Sequence, residues 1–326
     1  MEFRLIDRIR ERTAQGRDDV RLGIGDDAAL LAVPEGQELA VAIDTLVEGV
    51  HFPRDTAPAD IGWKSLAVNL SDLAAMGATP AWALLALTLP KTSVESTQAF
   101  IDGFAEGFAQ LAQPHRLALV GGDTTSGPLT ISVAVHGFVP PGKALRRAGA
   151  KVGDVVLVTG TLGDAAAGLY LLQHASRVEA GDARREYLIE RLNRPTPRLA
   201  AGVALRARAN ACQDISDGLL ADLGHICAQS GVGAEIDSAW LPRSSALLGL
   251  FDETSARDFA LSGGDDYELC FTVPAARVAD VQADLARLGC GATRIGRIVE
   301  GEGVRVREPD GSWLEPGRRG WDHFAA

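Results

Sequence analysis

With 326 residues the chain exceeds one ordinary core and suits two domains of moderate size. Its 46% apolar and 23% charged residues exclude a disordered polypeptide. The net charge of −11 excludes a nucleic-acid partner, because a polyphosphate backbone requires a basic face.

The opening MEFRLIDRIRERT is charged and amphipathic, without the apolar core of a secretory leader. No later apolar run approaches the roughly 20 residues that cross a bilayer, so a cytosolic protein with no membrane partner is expected. ELAVAIDTLVEG (38–49) reads as a strand running into a polar tail, with Asp44 at the end of the apolar run. PADIGWKSLAVNLSDLAAMGATP (58–80) begins with a proline at a helix start and spaces Leu66, Leu70, Leu73 and Ala74 as a helix does; Gly77 and Pro80 stop it. ESTQAFIDGFAEGFAQLAQ (95–113) is a second helix with Phe100, Ile101, Phe104, Phe108 and Leu111 as its core stripe. RLALVGGDTTSGPLTISVAVHGFVP (116–140) reads as strand, glycine-rich loop, strand, and the basic PPGKALRRAGAKVGD (140–154) as the boundary between domains 1–140 and 141–326.

The second half opens with strand DVVLVTG, loop TLGD and helix AAAGLYLLQH. SDGLLADLGHICAQSG (216–231) is an amphipathic helix capped by Ser216 or Asp217. Strands GAEID and YELCFTV, helix RVADVQADLARLG and short terminal strands follow. Cys212, Cys227, Cys270 and Cys290 show neither a C-x-x-C pair nor metal-ligand spacing, so buried thiols in a reducing compartment are expected.

Aspartates recur in glycine-rich or strand-end settings: Asp26, Asp27, Asp44, Asp72, Asp123, Asp214, Asp217, Asp265 and Asp266. Each alone is accounted for by a turn or a helix cap. Together they ask for more. Asp44 ends an apolar strand, Asp72 lies inside a helix three residues after Asn69, and Asp123 follows two glycines that terminate LALV. Half-buried carboxylates of this kind cost several kcal/mol each without a cation. Lys64, Arg147 and His51 are the few protein cations nearby in sequence. A hard divalent ion fits better: Mg²⁺ takes one or two carboxylates plus phosphate oxygens, whereas zinc asks for His and Cys clusters that are absent from the sequence. Several such ions would also let a nucleoside triphosphate and a phosphate-bearing acceptor enter an acidic pocket. There is no P-loop lysine and no protein-kinase motif set, but GIGDD, VGGDTTSG and TGTLGDAAAGL can offer backbone N–H groups to anions.

In order along the chain, GIGDDAALL, DTLVEGVHF, NLSDLAAMGATP, GGDTTSGP, TGTLGDAAAGL, DISDGL and SGGDDYELCFTVP closely resemble thiamine-monophosphate kinases. That family lies in the ATP-binding superfamily of aminoimidazole ribonucleotide synthetase-like enzymes. The resemblance runs from about residue 20 to GWDHF near the C-terminus. It implies an α/β (α+β mixed) two-domain synthetase-like fold, with an N-terminal Mg/ATP-binding domain whose sheet pairs across a homodimer. A C-terminal α/β domain is implied to close over nucleotide and substrate. The implied reaction moves the γ-phosphate of ATP onto the phosphate of thiamine monophosphate, giving thiamine diphosphate, with several Mg²⁺ ions.

Position by position, the resemblance implies Asp27, Asp44, Asp72, Asp123 and Asp214 as Mg²⁺ ligands, with Asp217 holding a further ion. Gly122, Asp123, Arg147 and Ser216 match nucleotide contacts; His51, Asp265 and Trp321 match substrate contacts. An aromatic face and a carboxylate suit a cationic thiazolium and an aminopyrimidine. Ala42 and Ile43 stand where the family carries hydroxyl residues, so any metal contact there uses backbone carbonyls. Asp265 stands where some members carry glutamate. No nucleophile or base is supported, so in-line transfer by alignment and charge neutralisation is expected.

Two kinds of rival remain. Selenophosphate synthetase needs an N-terminal cysteine or selenocysteine, and the first cysteine here is Cys212; the hydrogenase-maturation member carries a C-terminal cysteine, and this chain ends WDHFAA. A member acting on another phosphorylated or amide substrate, or a non-catalytic Mg–ATP sensor, is the alternative.

Overall fold

The computed structural model describes residues 2–174, 178–315, 317 and 320–321. The chain divides into two compact units, one taking residues up to Leu73 with Ala78–Gly142, the other Ala74–Gly77 with the chain from Lys143 onward. Among the described residues no helix is long and apolar enough to cross a membrane.

The N-terminal unit runs α1 (Glu2–Thr13), β1 (Val20–Leu22), β2 (Leu30–Leu31), β3 (Glu38–Val47), α2 (Pro58–Ala75), β4 (Thr79–Leu89), α3 (Val94–Ala112), β5 (Ala118–Ser126) and β6 (Thr130–Val139). Four strands form one sheet in the order β3-β6-β4-β5, with β4–β5 parallel and the other pairs antiparallel. Pro58 opens α2, where its missing N–H costs nothing. Ser93 caps α3 by accepting from the Ser96 N–H at 3.2 Å. Leu66, Leu70, Leu73, Phe104 and Phe108 are buried, as helical spacing predicts. Gly62 lets α2 approach α3 so closely that a Cβ there would lie 2.0 Å from the Phe104 carbonyl oxygen. The bidentate Arg8–Asp102 pair, at 2.9 and 2.6 Å, ties α1 to α3.

On the sheet's other face, Leu39, Val41 and Ile43 alternate outward along β3 and are 41%, 58% and 65% exposed. One end of that face is covered by the β1–β2 hairpin, whose Val20 and Leu31 pack on Trp82, Val120 and Phe138. The rest remains an apolar surface on an edge strand.

The C-terminal unit contains β7 (Val155–Thr159), α4 (Asp164–Gln173), α5 (Ala183–Asn193), α6 (Leu199–Leu205), β8 (Ala211–Asp214), α7 (Leu219–Ser230), β9 (Gly233–Asp237), α8 (Ser245–Leu250), α9 (Glu253–Ser262), β10 (Leu269–Val273), α10 (Val278–Arg287), β11 (Ala292–Val299), β12 (Gly303–Arg307) and β13 (Trp313–Leu314). The sheet order is β13-β12-β9-β11-β7-β10-β8, antiparallel except for β12–β9. Leu219, Leu223 and Ile226 of α7 join Val156, Val158, Cys270 and Ile295 in its main core. All four cysteines are buried and unbridged, and burial pushes the Cys227 thiol up to about 11, so these thiols are inert.

Three local expectations are corrected. The GGDTTS segment is not a loop but the second half of β5, because Gly122 to Ser126 pair with Leu85 to Leu89 of β4. Asp44 lies inside β3 rather than at its end, since pairing with β6 continues to Val47. α7 is capped by neither Ser216 nor Asp217: its N-cap is Gly218, without a side-chain cap, and the helix begins at Leu219. Helices α5, α6, α8 and α9 were not anticipated from the sequence.

Candidate functional site

In the N-terminal unit a cavity of about 660 Å³ is lined by Asp26 and Asp27 of the β1–β2 loop, Gly122 and Asp123 of β5, and Ile6 and Arg10 of α1. Asp26 is spent locally, its Oδ1 accepting from the Asp27 N–H at 2.8 Å. Asp123 is exposed rather than half-buried as the sequence suggested, and Asp27 is exposed as well. Gly122 has φ 152°, and a Cβ on it would lie 1.8 Å from the Leu85 carbonyl oxygen. Only glycine therefore keeps β5 paired beside Asp123. Arg10, the one cation among the described residues of this lining, carried no sequence signal beyond the amphipathic character of its helix.

Asp44 and Asp72 are half-buried around a different anchor. Asn69, fully buried on α2, accepts from the Asp44 N–H at 3.0 Å and donates to the Ser65 carbonyl at 3.0 Å. This ties β3 to α2, with Asp72 one turn beyond the tie. Because the Asp44 N–H points away from β6, the Ala42 carbonyl shares that outer edge, whereas the Ile43 carbonyl faces the β6 ladder. Asp123 belongs to a cross-strand row with Ala86, Ser132 and Thr45, and Asp44 to the adjacent row with Val133, on the opposite face. β3 and β5 are also three strand spacings apart, roughly 14 Å. Within one chain Asp44 and Asp123 do not share an ion.

His51 is half-buried, and its Nδ1 accepts from the Val47 N–H at 2.9 Å, which places the ring proton on Nε2. The Lys64 ammonium donates to the His51 carbonyl at 3.2 Å. His51 thus closes the turn after β3.

In the C-terminal unit the loop from Asp214 to Gly218 joins β8 to α7. Asp214 is 5% exposed; Ser216 and Asp217 are half-buried. The loop is hydrogen-bonded to two further segments. Asp265 N–H donates to the Ser216 carbonyl at 2.9 Å, Tyr267 N–H to Ile215 at 2.8 Å, and Trp321 N–H to Asp217 at 2.9 Å. The structure thereby gathers Asp214, Ser216, Asp217, Asp265 and Trp321; Asp322, His323 and Phe324 of GWDHF lie outside the described residues. Asp265 and Tyr267 both hold left-handed backbone, φ 67° and 50°, and the Tyr267 hydroxyl donates to Asp265 Oδ1 at 3.0 Å. Such strain clusters at ligand sites. Beside this loop a cavity of about 580 Å³ is lined by Trp321, Gly263, Gly264, Ser262 and Phe259. Arg147 is exposed, on a segment laid along β8 by the Cys212 N–H to Arg146 carbonyl bond of 2.8 Å.

Three buried carboxylates in this unit escaped the sequence analysis or were read only as possible caps. Glu268 accepts from Arg198, Arg191 and Thr159 at 2.5–2.9 Å. Asp266 accepts from the Gly163 N–H at 2.9 Å, and burial pushes its carboxyl well above the usual range. Asp222, 1% exposed, is pushed up to about 7 by burial and by the nearby Asp214 and Asp217. A charge inside YELCF was the only local sign of Glu268; its arginines lie about 70 residues away.

Among the described residues the metal-donor set around these three groups of aspartates is oxygen alone, which suits a hard cation and not zinc. Among the described residues no three His, Cys, Asp or Glu side chains form a ready-made metal cage.

Residues 25–139 match the model of AIR synthase related protein, N-terminal domain, and residues 151–308 that of AIR synthase related protein, C-terminal domain. The chain is 50% identical over 326 residues to thiamine-monophosphate kinase of Escherichia coli, spanning 99% of this chain and 98% of that one. The crystal structure of thiamine-monophosphate kinase from Stenotrophomonas maltophilia superposes with a TM-score of 0.87 at 54% identity, covering 94% of this chain and 96% of that one. AaThiL complexed with AMPPCP and TMP superposes with a TM-score of 0.78 at 38% identity, over 99% of this chain and 97% of that one.

Proposed function

The chain belongs to the thiamine-monophosphate kinase family of AIR synthase related proteins, and from that membership we infer that it phosphorylates thiamine monophosphate with ATP to give thiamine diphosphate. It is a kinase, and the observation that carries the reading is whole-chain: half of its residues are shared with a named kinase over nearly the full length of both. A relative of the same fold was solved with AMPPCP and TMP, which supports ATP and thiamine monophosphate as the pair of substrates.

We assign the residues as follows. Asp27 and Asp123, with the Gly122 backbone, face phosphate in the N-terminal cavity. Asp44 and Asp72 form a second carboxylate set, to which the Ala42 carbonyl adds an edge oxygen; the Ile43 carbonyl is the weaker candidate because it faces the ladder. Asp214 and Asp217 form a third, with Ser216 and Arg147 as nucleotide contacts. Asp265, Trp321 and His51 serve the acceptor: Trp321 offers an aromatic face to a cationic ring and Asp265 a carboxylate to an amine.

Mg²⁺ fits these sets, since it is held by one or two carboxylates and completed by phosphates and water. When bound it would neutralise the phosphate oxygens and align donor and acceptor. The protein's own part is to fix the carboxylates on strands, a helix and loops, to keep Asp44 and Asp123 on opposite faces of the N-terminal sheet, and to orient the acceptor phosphate. No side-chain nucleophile is needed. Four buried, unbridged thiols suit the reducing cytoplasm.

Titrating Mg²⁺ at fixed ATP tests the multi-ion assignment. Activity should rise with an apparent order above one and continue to rise after all ATP is complexed. A curve that saturates at one Mg²⁺ per ATP contradicts it.

The exposed row Leu39, Val41 and Ile43 supports pairing of the N-terminal sheet with a second copy, since monomers seldom leave so continuous an apolar edge open. Ile43→Asp should shift the sedimenting species from dimer to monomer; an unchanged dimer places the interface elsewhere.

A further inference from the structure

We propose that Asp222 is a positioning residue: from inside α7 it clamps the Asp214–Gly218 loop into the shape that holds a cation. The proposal rests on the assignment of Asp214 and Asp217 as cation ligands.

The geometry is unusual for a helix start. An N-cap side chain ordinarily comes from the residue just before the helix and reaches forward to the first amides. Here Gly218 occupies that position, with φ 118° and no side chain to offer. The acceptor comes instead from the fourth helical residue and reaches backward. Asp222 Oδ2 accepts three successive backbone N–H groups, from Ser216 at 3.0 Å, Asp217 at 3.1 Å and Gly218 at 3.2 Å. Its Oδ1 accepts from Gln213 Nε2 at 2.7 Å, on the residue before Asp214. One side chain thus grips the loop on both sides of Asp214.

Two consequences follow from this arrangement. Because the acceptor is supplied from within the helix, the N-cap position can be a glycine, and Ser216 and Asp217 lie half-buried at the loop surface. The same loop accepts the Asp265 and Trp321 N–H groups, so its shape also sets the acceptor-side residues. Burying a carboxylate beside Asp214 and Asp217 is unfavourable for stability alone; four convergent donors offset that, and what the fold retains is a fixed loop.

The test compares Asp222→Ala and Asp222→Asn with Asp214→Asn in the full-length protein. Amide hydrogen exchange at Ser216, Asp217 and Gly218 is read beside kcat, the KM for MgATP and the half-saturating Mg²⁺ concentration. Asp222→Ala should speed exchange of the three amides at least 100-fold and raise the Mg²⁺ requirement at least 10-fold. Asp222→Asn should remain within a few fold of the parent in both. It keeps one oxygen for the three N–H groups, and Gln213 can turn its amide to present Oε1, which is buried and has no hydrogen-bond partner among the described residues.

Unchanged exchange in Asp222→Ala overturns the clamp. Fast exchange with an unaltered Mg²⁺ requirement, or an Asp222→Asn as impaired as Asp222→Ala, overturns the positioning role. If Asp214→Asn keeps the parent's Mg²⁺ dependence, the ligand assignment fails instead, and the exchange data still decide the clamp.

Discussion

Asp44→Asn and Asp72→Asn should each lower turnover by roughly 10²–10³-fold, the rate equivalent of the several kcal/mol that metal-assisted charge neutralisation supplies. Melting temperature should stay within about 2 °C of the parent, less than 1 kcal/mol of destabilisation would shift it. The two halves of this expectation have separate physical bases. The fold tolerates the change because β3 is tied to α2 through the Asp44 backbone N–H and the Asn69 side chain, neither of which is altered. Asn and Asp also differ little in helix propensity at position 72. Activity does not tolerate it because an amide is nearly isosteric with a carboxylate yet lacks the charge that attracts a divalent ion. Raising Mg²⁺ should restore part of the loss. Steady-state kinetics and a thermal melt on the same preparations check both halves; parent-like turnover in either variant removes that residue from the cation set.

Glu268→Ala should show the reverse pattern, a large loss of stability. Glu268 is fully buried, with Arg191 and Arg198 bonded to its two oxygens and Thr159 completing the set. Removing one partner of a buried ion pair leaves uncompensated charge and costs about 3–5 kcal/mol. For a unit of this size that corresponds to a fall of roughly 10 °C in melting temperature. Glu268→Gln keeps the volume and one acceptor, so it should lose less. Gly160 lies against the same carboxylate, where a Cβ would sit 2.2 Å from Oε1, so any larger repacking has no room. Differential scanning calorimetry reads the outcome, and a melting temperature unmoved by Glu268→Ala would mean that the arginines find other partners.

The helices α2 and α3 were legible because their apolar residues fall at helical spacing and their ends carry proline, serine or glycine. The second half of β5 was not, because GGDTTS has turn composition and becomes a strand only through pairing with β4. Local propensity yields to tertiary pairing in such segments. The recurrence of carboxylates beside glycines was legible in the sequence. Their division was not: the opposite sheet faces of Asp44 and Asp123 depend on the register of four strands. Asp222 looked like an ordinary polar position on an amphipathic helix, since nothing local says that a loop folds back on it. Glu268 was hidden for the same reason, with its partners about 70 residues distant.

The most direct measurement incubates the protein with ATP labelled at the γ-phosphate, Mg²⁺ and thiamine monophosphate, with free thiamine in a parallel reaction. Label should appear in the terminal phosphate of thiamine diphosphate, one for each ADP formed, and only when the monophosphate is the acceptor. Label released as inorganic phosphate without thiamine diphosphate, or carried preferentially to free thiamine, would contradict transfer from phosphate to phosphate.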